Sequence, residues 1–166
     1  KVIFGRMGSK TNDAVGSNGK DPCPSMTLGP IENNIIVSLA CFPGTDSEKS
    51  IVHTCALGNI PLQKWVNVVT SVYNRTMDLY IDGKLVRTCM LPGVPKINKS
   101  APVFLTPFGG FEGWTAKFQY YPEAINPQEV WNIYKNGYGS LISSLGDYEV
   151  EINLVENGNT TNTITI

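Results

Sequence analysis

Charge is what this sequence has least of. Asp, Glu, Lys and Arg make up 16% of its 166 residues and nearly cancel, leaving a net charge of −1. No block of five basic residues occurs, and phosphate binding needs a concentrated cationic footprint, so nucleic acid is not an expected partner. No apolar run reaches the roughly 20 residues of a membrane span, and the first residues carry no signal-peptide pattern. Histidine occurs once, as His53 between Val52 and Thr54, which reads as an ordinary strand residue. No cysteine pair has C-x-x-C spacing, which removes the zinc-knuckle and redox motifs. A G-x-S-x-G nucleophile elbow is missing, and so are phosphate-loop and dinucleotide fingerprints. The glycine-rich run Gly109-Gly110-Phe111-Glu112-Gly113 opens a strand, so it offers no helix N-terminus to a phosphate. The expectation is a non-enzyme with no catalytic residues and no cofactor; calcium is compatible with the fold class, but no clear motif calls for it.

What is present is apolar and turn-rich. Hydrophobic residues make up 42%, enough for one buried core in a chain too short for two full domains. Gly (16) and Pro (11) are spread along the chain, which suits many short strands joined by tight turns. Val2-Ile3-Phe4 reads as a first strand, followed by a long polar loop to about residue 30. Asn34 to Phe42 and Ser50 to Leu57 read as a hairpin across Pro43-Gly44-Thr45-Asp46. Lys64 to Tyr73 is apolar on both faces, as for a central strand, and Trp65 is expected in the core.

Met77, Leu79 and Ile81 alternate with polar residues up to Asp82-Gly83, the pair that supplies two positive φ angles to a type I′ turn. That loop sets Ile81 opposite Lys84, Leu79 opposite Val86 and Asp78 opposite Arg87. Pro92 to Pro102 reads as a loop, Val103-Phe104-Leu105 as a short strand, and Trp114 to Tyr121 as another. One helix is signalled over 127–135. Asn126 caps it, Pro127 takes its first position, Glu129 completes a capping box and Gly137 stops it. Trp131 on that helix is expected in the core. From Asp147 a last strand alternates, and Asn157-Gly158 turns it back into Thr160 to Ile166.

The run from Trp65-Val66-Asn67-Val68-Val69 to Met77-Asp78-Leu79-Tyr80-Ile81-Asp82-Gly83-Lys84-Leu85-Val86, followed by Asn126 to Tyr134, resembles the concanavalin A-like lectin/glucanase superfamily. Within it the chain looks like a laminin-G-like domain, most similar to those in structural proteins of giant and algal DNA viruses. The resemblance implies an all-β fold, a two-sheet antiparallel jelly-roll sandwich with one short C-terminal helix. It divides the chain into residues 1–30, a strand and extended loop, and 31–139, the sandwich core. Residues 140–166 remain as a C-terminal hairpin or assembly arm. It further implies a structural or adhesive module of a larger assembly, such as a viral capsid or virion-surface protein, located on a virion or outside the cell. Its partners would be other protein chains. The alternative is a carbohydrate-binding lectin domain, with glycan hydrolysis a distant third.

Three sets of candidate residues follow. A sugar platform needs aromatics beside polar groups; Phe108, Phe111, Glu112, Trp114 and Tyr120 are its candidates, against the plainer reading that Trp114 is core. Four cysteines allow three pairings; Cys41 and Cys55 flank a polar stretch and form a candidate cross-hairpin disulfide, with four buried free thiols as the alternative. Sequons at Asn74, Asn98 and Asn159 each sit in an expected turn and are candidate glycosylation sites. The tail carboxylates Asp147, Glu149 and Glu151 share one strand face. They read as the wet side of an edge strand rather than a hydrolytic pair, which needs carboxyls at a set separation of about 5 Å.

Overall fold

The computed structural model describes residues 1–6, 22–43, 50–97, 101–138, 151–156 and 159–165. β-branched and aromatic runs punctuated by turn residues produce eleven strands among them. These are β1 (Val2–Arg6), β2 (Ser25–Leu28), β3 (Ile35–Pro43), β4 (Ile51–Leu57), β5 (Val68–Tyr73), β6 (Thr76–Ile81), β7 (Lys84–Met90), β8 (Gly93–Pro95), β9 (Val103–Leu105), β10 (Glu151–Glu156) and β11 (Asn159–Thr165). One helix, α1 (Pro127–Lys135), lies between β9 and β10. The protein is an all-β, two-sheet antiparallel sandwich. Its first sheet has six strands in the order β4-β3-β2-β1-β9, with β8 pairing onto the end of β3. The second is the meander β5-β6-β7. β10 and β11 pair as a separate hairpin, Glu156 opposite Asn159, as the Asn157-Gly158 signal predicts.

Two strands before residue 30 belong to this core. β1 pairs with β2 and β9, and β2 pairs with β3, so both lie inside the large sheet. β2 and β8 are too short to show a clear period, and both read as loop from sequence. The opening central strand is also shorter than expected: β5 starts at Val68, leaving Trp65 outside it and about two-fifths exposed. Trp65 stacks on Tyr138 at 4.5 Å rather than entering the core.

The inner faces meet in one cluster, with Met26, Ile35, Val37 and Leu39 from the large sheet against Met77 and Leu79 from the small one. A disulfide between Cys55 on β4 and Cys89 on β7 joins the sheets, Cα to Cα 6.3 Å. Cys41 is not its partner. It faces Ile51, whereas Cys55 faces Val37, four rungs along the same ladder. At about 3.4 Å per residue that offset is about 14 Å, well beyond disulfide reach. Cys41 and Cys23 are buried free thiols.

A one-residue bulge decides which face Cys89 takes. Ile81 pairs with Lys84 as expected, around a turn with Asp82 at φ 49° and Gly83 at φ 75°. Tyr80 then faces Leu85 but Leu79 faces Arg87, leaving Val86 as the extra residue. Beyond it the expected register slips by one. Asp78 meets Thr88, whose hydroxyl donates to its carboxylate at 2.6 Å, instead of Arg87. A slip of one residue reverses every side chain. Cys89 therefore stands opposite Met77 on the inner face, where Cys55 waits. Arg87 reaches across to donate to the Ala56 carbonyl of β4 at 2.6 Å.

α1 caps the outer face of the small sheet. The Asn126 side chain accepts from the Glu129 amide, and the Glu129 carboxylate accepts from the Asn126 amide, the expected capping box. Val130 is its one fully buried residue; Trp131 is not core but about two-fifths exposed along the turn at Gly83. The chain leading into the helix is pinned by Ser71. Its hydroxyl donates to the Ile125 carbonyl at 3.0 Å and accepts from the Ile125 amide at 3.2 Å.

Candidate functional site

The large sheet is wider than the small one, and the segment after β9 packs on Phe4 and Arg6 of β1. Residues 106–121 form neither strand nor helix, so the expected strand from Trp114 to Tyr121 does not exist. The alternation Trp114, Ala116, Phe118, Tyr120 is real, but Lys117 adopts φ 49° and breaks the extended run. Its ammonium donates to the Asn136 carbonyl at the end of α1, 3.3 Å away. Phe118 packs on Phe4 of β1, ring centroids 5.3 Å apart, and Phe4 in turn packs on the core. Tyr120 accepts a 2.9 Å hydrogen bond from Arg6 and lies beneath the same guanidinium at 5.3 Å. Arg6 also donates to the Ala101 carbonyl at 3.1 Å, which fixes the cation above the ring.

Those anchors hold one end of the segment and present the other. Trp114 is 87% exposed and makes no ring contact among the described residues. Phe108 is half exposed, Phe111 is half-buried with its ring folded against Gly113, and Glu112 is exposed. The five platform candidates are therefore split. Phe108 to Trp114 stand on the presented turn, while Tyr120 is bound to Arg6. Thr106, Phe108, Gly109 and Gly110 all take positive φ within five residues. Non-glycine residues hold that conformation at a cost of about 1–3 kcal/mol each, and such strain concentrates where a loop is shaped for contact. Trp114 as core is overturned. Leu105, also exposed, pairs with Phe4 and extends the apolar surface along β9.

A second concavity was not legible in the sequence. Ile81, Asp82, Lys84, Val86, Trp131 and Tyr134 line a groove of about 450 Å³ between the β6–β7 turn and α1. Gly83 lets the helix approach: a Cβ there would lie 2.7 Å from the Trp131 ring. Asp82 is committed to structure, accepting from the Asn67 amide at 2.9 Å and pairing with Lys64 at 3.4 Å. The Asn67 carbonyl in turn accepts from the Asp82 amide at 2.9 Å. The i, i+3 spacing of Trp131 and Tyr134 on one helix stripe is the sequence signal that corresponds to it.

Among the described residues no group of three or more His, Cys, Asp or Glu side chains could hold a metal ion. No helix among them is long and apolar enough to cross a membrane. His53 sits on β4 opposite Leu39, and no serine–histidine pairing surrounds it among the described hydrogen bonds. Asn74 lies in the β5–β6 turn and Asn159 at the start of β11; Asn98, Asp147 and Glu149 lie outside the described residues.

No family model and no curated protein matches the chain. Among solved structures, an S-layer domain-containing protein (residues 221–444) from Clostridium thermocellum ATCC 27405 aligns at TM-score 0.34 and 16% identity. The alignment covers 80% of this chain and 64% of that one. A likeness at that score carries no argument about fold or function.

Proposed function

We propose that this chain is a non-catalytic structural or adhesive module of a larger assembly, built on a sandwich of the concanavalin A-like, laminin-G-like type. The assembly is one displayed on a virion or at a cell surface. The observation that carries the reading is the anchored segment 106–121. It presents Trp114, Phe108 and their neighbours to solvent on a strained backbone held by Phe4, Arg6 and the end of α1. Exposed aromatics on a fixed scaffold are what protein interfaces use as anchors. The Cys55–Cys89 disulfide supports a location outside the reducing cytosol. Sedimentation of the oxidised chain over a concentration series tests the reading. The expected result is self-association that Trp114→Ala weakens about tenfold, the effect of losing one interface anchor. A chain that stays monomeric at every concentration argues against it.

A lectin is the second reading, favoured by the same exposed Trp114 beside Glu112, since a sugar stacks on an aromatic face flanked by polar groups. A glycan array run with calcium and again with EDTA decides it. Saturable binding lost in Trp114→Ala would make the segment a sugar site, and a blank array leaves the assembly reading in place.

A further inference from the structure

Of the three sequons, Asn74-Arg75-Thr76 lies in a position built to carry a glycan, and the reason is the row of side chains beside it. We infer that Asn74 is an N-glycosylation site whose first sugar packs on Tyr73. Tyr73 and Thr76 are directly paired across β5 and β6, so Asn74 and Arg75 form a two-residue hairpin loop. Asn74 takes φ 51°, a left-handed conformation that asparagine adopts more readily than most residues, and is exposed at the tip. Thr76 also pairs with Met90 on β7. Tyr73, Thr76 and Met90 therefore form one row across all three strands of the small sheet, on its outer face.

That row is unusually bare. Tyr73 is 70% exposed and Met90 68%, on either side of the sequon threonine, while the segment leading into α1 covers the face at Ser71 and α1 itself lies at the Gly83 end. The intervening cation is turned away: Arg75 donates to the carbonyls of Leu91 and Pro92, at 3.3 and 3.2 Å. An N-acetylglucosamine has one face of C–H groups, which lies well on an aromatic ring and loses water there as any apolar surface does. Linked to Asn74 at the turn, it sits one residue from the Tyr73 ring and across from Met90. The glycan would cover the largest apolar exposure on this face. The Cys55–Cys89 disulfide fits the oxidising secretory lumen in which such glycans are attached. This inference is independent of what segment 106–121 binds.

The experiment is secretion of the full chain from cultured animal cells, with intact mass and peptide mapping of wild type, Asn74→Gln and Tyr73→Thr. The wild type is expected to carry sugar at Asn74 and Asn74→Gln to lose it. Removing the glycan with an amidase, which leaves an aspartate that still tolerates positive φ, is expected to lower the wild-type melting midpoint by about 2–4 °C. In Tyr73→Thr that difference should vanish. Met90→Ser, at the other end of the row, should reduce it in part and serves if Tyr73→Thr is not secreted. A secreted, disulfide-bonded wild type with bare Asn74 overturns the inference. So does a glycan whose effect on the midpoint is unchanged in both Tyr73→Thr and Met90→Ser.

Discussion

Removing the Cys55–Cys89 bridge should cost a large share of the protein's margin of stability. The bridge closes a loop with a sequence separation of 34 and joins the edge strand of each sheet. For that loop the chain-entropy relation gives an unfolded-state constraint of about 12.6 cal/mol/K, or about 4 kcal/mol at 25 °C. Both sulfurs lie in the core, so the double variant Cys55→Ala, Cys89→Ala also loses their packing. A domain of this size drops about 2–4 °C per kcal/mol, which puts the expected loss of Tm at roughly 8–16 °C. The assay is urea unfolding of wild type and double variant at about pH 5, where thiolate attack from Cys23 and Cys41 is suppressed. Cys41→Ala serves as control: its mass should show the intact bridge and one thiol fewer. A loss below about 1 kcal/mol in the double variant would refute the view that the staple holds the two sheets together.

Gly83→Ala should destabilise by about 2 kcal/mol, because φ is +75° and the new Cβ would meet Trp131 at 2.7 Å and Tyr134 at 3.1 Å. Thermal melts measure it, with Gly58→Ala, whose backbone is not left-handed, as the mild comparison. Ser71→Ala should cost about 1–3 kcal/mol, since it strips partners from both the amide and the carbonyl of Ile125. Faster hydrogen exchange at the Ile125 amide and along α1 would report it, and unchanged exchange would contradict it. Asp82→Ala should lose more stability than Asp82→Asn in urea unfolding, because the amide oxygen still accepts from the Asn67 amide.

Stability should also fall in alkali. Burial raises the Cys41 thiol above its ordinary value of 9.0 despite a backbone hydrogen bond from Gly93 that lowers it. Burial, with the Asp78 charge added, raises the Tyr80 phenol. Both groups ionise first in the unfolded chain, so their contribution is whole below about pH 9 and lost above it. Urea midpoints at about pH 8 and about pH 10 should therefore differ, and Cys41→Ala should narrow the gap.

The parts of the fold that were legible in the sequence are those whose signals are local. The Asp82-Gly83 turn, the capping box of α1, the β3–β4 pairing and the short β9 each rest on neighbours within a few residues. What failed depends on distance. Nothing near Val86 announces a bulge, yet that single extra residue turns Cys89 inward and makes it the partner of Cys55. The alternation of Trp114 to Tyr120 fits a strand, but a strand needs a neighbour to pair with, and this segment found side-chain anchors on β1 instead. Trp65, as the opening of the central strand, and Trp131, as part of a docked helix, both read as core; each instead packs its ring on another aromatic or a glycine turn and keeps one face wet. The division of the aromatic candidates into an anchored end and a presented tip rests on tertiary contacts that no local pattern carries.

The most direct measurement is hydroxyl-radical footprinting of the oxidised chain, dilute and then at concentrations where it sediments as larger species. Strong protection confined to Phe108, Trp114 and Leu105, with Trp131 and Tyr134 unchanged, is the predicted result. Association that leaves Trp114 as reactive as in the monomer would contradict the claim that segment 106–121 is the contact surface.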